Sequence, residues 1–99
     1  MFKRNSLPRD FTLLRKFLTP GSKVYLDKCN DTYVAVFTGE TFRHGHLSFT
    51  SPSGFSRYVT AQYNTHAHPS GWGVIYTMNN GTPKTIKNIY DDGVKNFLK

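Results

Sequence analysis

Two H-x-H pairs, His44-Gly45-His46 and His66-Ala67-His68, are the residues whose type and spacing come nearest to metal chemistry. Along a strand, residues two apart share a face, so each pair can turn two imidazoles toward one ion, and four would complete a tetrahedral zinc shell. Both pairs lie in stretches that read as loops, and no carboxylate is placed to orient the rings. They therefore read as surface histidines that titrate near neutral pH, and no metal or cofactor is expected. Ser53, His66 and Asp91 supply the residue types of a nucleophile, a base and an orienting acid, but Ser53 has no nucleophile-elbow context. Without a phosphate-binding glycine loop or a paired carboxylate site either, the chain is expected not to be an enzyme.

Basic side chains beside hydroxyls give a clearer chemical theme. Ser51 and Ser53 open a helix on which Arg57 follows within two turns, so hydroxyls, free N–H groups and a guanidinium can meet a phosphate. Ser51 is equally well explained as a helix cap. Arg43 and His44 stand at a strand-to-turn corner from which side chains can reach a groove or backbone, and Lys84 and Lys87 open the last helix. Trp72 and Tyr76 can stack on an extruded base as aromatic platforms do, although an indole in so small a chain is expected to fill the core. The candidate DNA-binding set is Arg43, His44, Ser51, Ser53, Arg57, Trp72, Lys84 and Lys87.

The elements that position these residues are marked by periodicity and punctuation. Phe11, Leu14, Phe17 and Leu18 recur at helical spacing, with Arg9, Thr12, Arg15 and Lys16 facing outward, and Thr19-Pro20-Gly21 ends the segment. From Lys23 the period drops to two, with Val24 and Leu26 alternating against Tyr25 and Asp27. A turn at Asn30-Asp31 leads to the β-branched and aromatic run Thr32–Phe37, and a further strand covers His46–Phe49. Ser51 as cap and Pro52 at the first helical position predict a helix from Pro52 to about Tyr63, with Phe49 stapled back onto it. Gly71–Met78 reads as a strand and Asn79-Asn80-Gly81 as a turn. A last helix is expected to be capped by Thr82 and to carry Ile86, Ile89, Tyr90, Val94 and Phe97 inward. The expected fold is α+β, in the order α-β-β-β-α-β-α, with an antiparallel sheet packed by helices.

Composition bounds the partners. Ninety-nine residues make one domain, with residues 1–8 expected as a flexible lead-in. Only 37% of residues are hydrophobic, but 15% are aromatic, which supplies large buried areas per side chain. Thirteen Lys and Arg against six Asp and Glu give +7, spread along the chain rather than held in a tail. That charge is the footprint of a partner bearing phosphates or another anionic surface. Cys29 is the only cysteine, so no internal disulfide can form, and the thiol is expected to be buried in a reducing compartment. No apolar run is long enough to span a membrane, and the basic N-terminus has no apolar stretch behind it that would make a signal peptide. The expectation is a protein inside a cell, nuclear or nucleoid-associated, or within a virion.

Taken in order, Leu14–Leu18 with Pro20-Gly21, then Phe49-Thr50-Ser51-Pro52-Ser53-Gly54-Phe55, Gly71-Trp72 and Gly81-Thr82-Pro83 span nearly the whole chain. Their order and spacing resemble the RAMA domain, named for its association with restriction and adenine-methylation systems, and the related short domain that ends many GIY-YIG-type proteins. The resemblance implies a module that reads double-stranded DNA, adenine-methylated DNA above all. A packaging or chromatin-like role falls in the same class. The alternative is an adaptor that keeps the fold and binds protein instead, and either form can self-associate.

Overall fold

The computed structural model describes residues 10–63 and 71–97. Arg9, the lead-in 1–8, His66, His68 and the side chain of Phe97 lie outside them. The described chain is α+β, as expected. Its elements are a 3₁₀ helix (Phe11–Lys16), β1 (Lys23–Lys28), β2 (Asp31–Phe37), β3 (Phe42–His44), β4 (Leu47–Phe49), α1 (Pro52–Ala61), α2 (Gly71–Val74), β5 (Tyr76–Asn79), β6 (Thr82–Thr85) and α3 (Ile86–Phe97). The strands form one six-stranded sheet in the order β4-β3-β2-β1-β5-β6, with every pairing antiparallel.

Several elements differ from the sequence expectation. The first segment is 3₁₀ rather than α, with Asp10 as its cap, accepting from the Thr12 backbone N–H at 3.0 Å. Four strands precede α1, because Gly45 and His46 turn the chain sharply between β3 and β4, pairing His44 with Leu47. Gly71–Val74 is a single helical turn and not part of a strand. Thr82 opens β6 instead of a helix. Asn80 and Gly81 both have positive φ, +55° and +83°, the mirror-image turn that suits the twist of a hairpin. The cap of α3 is Thr85, whose hydroxyl accepts from the Asn88 N–H at 3.2 Å.

The β1–β2 hairpin turns at Cys29-Asn30, one residue earlier than expected, with φ of +51° and +72°. Cys29 is therefore exposed at a turn tip and not buried.

Alternation gives the sheet two different faces. Val24, Leu26, Ala35, Phe37 and Phe42 point toward the helices and are buried. Phe42 is the hub of this layer, with ring centroids 5.1 Å from Phe11, 5.7 Å from Phe37 and 6.3 Å from Phe55. Leu14 from the 3₁₀ helix, Phe55 and Val59 from α1 and Ile86 from α3 complete the core. Around Phe42 the rings of Phe11 and Phe37 pack edge-on, and such aromatic contacts let a short sequence bury a continuous interior.

The start of α1 is built as its residues dictate. Ser51 Oγ accepts from the Gly54 N–H at 3.0 Å, Pro52 occupies the first turn, and Phe49 packs on Phe55 and Tyr58 at 5.5 and 5.4 Å. The helix ends at Ala61, two residues short of Tyr63.

Candidate functional site

The eight candidate residues do not converge on one surface. Arg43 and His44 are consecutive on β3, so the pleat sends them to opposite faces. Arg43 is exposed on the face away from the helices, beside Val36 and Ser48, and its Nε donates to the Gly45 carbonyl at 3.3 Å. His44 turns inward against Tyr33, Phe55 and Tyr58, with ring centroids 6.1, 5.8 and 5.7 Å away. Its Nδ1 lies 2.8 Å from the Val34 carbonyl, which requires Nδ1 to carry the proton. His44 thus serves the packing of α1 on the sheet and does not share the surface of Arg43.

Ser51, Ser53 and Arg57 do share α1. The Ser51 hydroxyl is occupied by the Gly54 N–H, so its role in the fold is capping. Ser53 is half-buried and Arg57 exposed, four residues apart and hence on one helical face. Trp72, on α2, is held edge-on between Phe11 at 6.4 Å and Tyr90 at 5.3 Å. Its ring is committed to packing. Lys84 is on β6, where its ammonium pairs with Asp92 of α3 at 2.9 Å. Lys87 is exposed in the first turn of α3. Arg43 and Lys84 are separated by four strand spacings, roughly 19 Å across the sheet, and face opposite sides.

Charge is distributed less evenly than the net value suggests. Asp10 accepts from Thr12, Asp27 from Thr32 and Tyr76, and Asp31 from Tyr63. Asp92 pairs with Lys84, and Asp91 is engaged as well. Glu40 faces Arg15 across a shallow depression of about 290 Å³. Among the described residues Lys84–Asp92 is the salt bridge that forms, and Lys16, Lys23, Arg57 and Lys87 form none there. The aspartates are thus engaged within the molecule, while Lys16, Lys23, Arg57 and Lys87 are exposed.

Three groups have perturbed acidity. Asp10 is held below the usual carboxylate range, first by the Thr12 hydroxyl and then by the Thr12 N–H. The Tyr63 hydroxyl is pushed up, first by its hydrogen bond with Tyr33, 2.8 Å away, then by burial and by Asp31. Tyr76 is raised first by burial and next by donation to Asp27 Oδ1 at 2.9 Å. These shifts come from local hydrogen bonds and, first at Tyr76, from burial. Among the described residues no three His, Cys, Asp or Glu side chains gather as a metal shell, and no helix is long and apolar enough to cross a membrane.

The sheet face turned away from the helices holds residues that sequence reasoning missed. Val34, Val36 and Met78 are 41%, 36% and 47% exposed. They share that face with Tyr25 and Tyr76, whose ring centroids are 5.5 Å apart with planes inclined at 30°. The signal was present in Thr32–Phe37, a run apolar at both odd and even positions, which cannot all face one core.

No family model, no curated protein and no solved structure matches the chain.

Proposed function

We propose that this protein is a nucleic-acid-binding module that holds duplex DNA by its phosphate backbone, with Arg57 at the contact. The observation that carries the reading is the disposition of charge: the aspartates are tied into hydrogen bonds and an ion pair, while Lys16, Arg57 and Lys87 are left open on the helix side. Open cations over a folded scaffold raise the local concentration of a polyanion and release its counterions on contact. A RAMA-like reader is the family form of the proposal, and recognition of methylated adenine its finest form. Because Trp72 is clasped by Phe11 and Tyr90, that finest form needs another aromatic to meet the base. Binding rather than catalysis is the activity proposed, in a compartment where DNA is met.

Gel-shift titration of unmodified and adenine-methylated duplexes over a range of salt tests the reading. Log affinity should fall linearly with log salt, by about 0.9 per phosphate neutralised, and Arg57→Ala should flatten the slope by about one contact. Affinity indifferent to salt, or unchanged in Arg57→Ala, would overturn it. Negligible binding to either duplex would overturn it as well, and is what the adaptor reading expects.

A further inference from the structure

No helix among the described residues lies on the outer face of the sheet, and that face has a definite chemical composition. Tyr25 of β1 is paired directly with Tyr76 of β5 and with Val34 of β2, so the three side chains stand in one row across the central strands. The next row runs Lys23, Val36, Arg43, Ser48. Two tyrosine rings lie side by side at 5.5 Å, half-exposed, with an ammonium and a guanidinium one row away. Asp27 marks the far end of the face, where Oδ1 accepts from both Thr32 Oγ1 and Tyr76 Oη and so sets the tilt of the Tyr76 ring.

The geometry points to single-stranded nucleic acid as the occupant of this face, with bases stacked on Tyr25 and Tyr76 and phosphates held by Lys23 and Arg43. The inference rests on the nucleic-acid reading above but concerns a different surface, since Arg57 is on the helix side. A duplex shows only base edges in its grooves, and a sheet face presents no helix to enter one. Unpaired bases expose their π-faces, and aromatic rings on an open sheet accept them with little regard for sequence. A protein covering Val34, Val36 and Met78 would also have to cover Lys23, directly opposite Val36, and the acid of this face, Asp27, is already engaged twice. Burying an unpaired ammonium is unfavourable. A phosphodiester strand brings the compensating charge.

The chemistry of a stacked base and a phosphate is common to DNA and RNA, so the test uses both. Fluorescence anisotropy with labelled oligothymidylate and oligouridylate should show saturable binding to the whole chain. Tyr25→Ala and Tyr76→Ala should each weaken it by about 5- to 100-fold, and Tyr76→Phe, which keeps the ring and loses the bond to Asp27, should retain most of it. Equal affinity for the two oligomers assigns the face to either nucleic acid, and preference for one names it. Both alanine variants should bind duplex DNA as the wild type does, with the wild-type circular dichroism spectrum. Duplex binding that depends on Arg57 with no single-strand binding would overturn this inference alone. Loss of both would overturn the nucleic-acid reading with it. Single-strand binding indifferent to Tyr25→Ala and Tyr76→Ala would also overturn it, by placing the strand elsewhere.

Discussion

Gly71 lies so close to the backbone carbonyl of Pro52 that a Cβ on residue 71 would fall inside the van der Waals shell of that carbonyl. The start of α1 and the start of α2 are thereby pressed together at backbone distance, and the Ser-Pro-Ser and Gly-Trp segments, twenty residues apart in the chain, form one joint. Gly71→Ala should destabilise the protein by about 2–3 kcal/mol, near the upper end of overpacking costs, because neither main chain can give way. Gly93 is the informative contrast. A Cβ there meets the ring of Phe17, Cγ included, so a side chain rather than a main chain must be displaced, and alanine also favours the helix by about 1 kcal/mol. Urea unfolding of the two variants should show Gly93→Ala the milder. A Gly71→Ala protein as stable as wild type would refute the joint.

Ser51→Ala separates capping from contact. Loss of the hydroxyl that accepts from Gly54 should cost about 1 kcal/mol of stability and leave the salt dependence of DNA binding unchanged. A shallower salt slope at undiminished stability would show instead that the hydroxyl meets phosphate.

Asp92→Ala should tighten DNA binding. The substitution removes one negative charge and releases Lys84, now held at 2.9 Å. The pair is 32% and 58% exposed, so the stability change should stay within about 1 kcal/mol, while the salt slope steepens. Unaltered affinity would mean that the edge of the sheet near β6 is remote from the bound DNA.

Alkaline pH should expose the tyrosine hydrogen bonds. Tyr63 and Tyr76 keep their protons more tightly when folded than when unfolded, so their contribution is complete below the ordinary tyrosine pKa of about 10 and is lost as pH rises through the raised folded values. Tyrosinate absorbance should show a late-titrating fraction that vanishes on unfolding. Tyr63→Phe, which also frees Asp31, should shrink that fraction, and an unchanged titration curve would contradict the assignment. Asp10 acts in the opposite range. Its carboxylate is held ionised by Thr12, so its contribution is present above about pH 4 and lost below it.

Replacing Cys29-Asn30 by Asn-Gly should stabilise the β1–β2 hairpin by about 0.5–1 kcal/mol, since both positions have positive φ and that pair suits the turn best. Before replacement, Cys29 should react with a thiol reagent as fast in the native protein as in the unfolded one, being exposed. Slow native reaction would contradict the turn geometry.

What could be read from the chain was local. The cap, proline and staple at the head of α1 act within a few residues of one another, and the alternation Val24, Leu26 against Tyr25, Asp27 needs only the pleat. Where distant contacts decide, the local pattern misleads. Gly71–Val74 turns helical where Gly71 fits against Pro52, a constraint invisible in Gly-Trp-Gly. Thr82-Pro83 imitates a helix start, and it is the Asn80-Gly81 hairpin turn that puts them in a strand. At the candidate site, Arg43 and His44 are neighbours in sequence, and adjacency alone suggests one surface. A correct strand boundary would have parted them onto two faces, leaving Arg43 with Tyr25 and Tyr76 and His44 with the core.

The ends of the sheet carry a consequence for assembly. β4 has only three residues, and β6 includes Pro83, which lacks an N–H, so neither rim is a good template for another strand. Growth of the ladder from copy to copy is discouraged at both rims. A second molecule is better received by a broad surface than by an edge, and the broad surfaces are those proposed to receive nucleic acid. Self-association and cargo would then compete for the same ground, so crowding copies together should thin out what they carry.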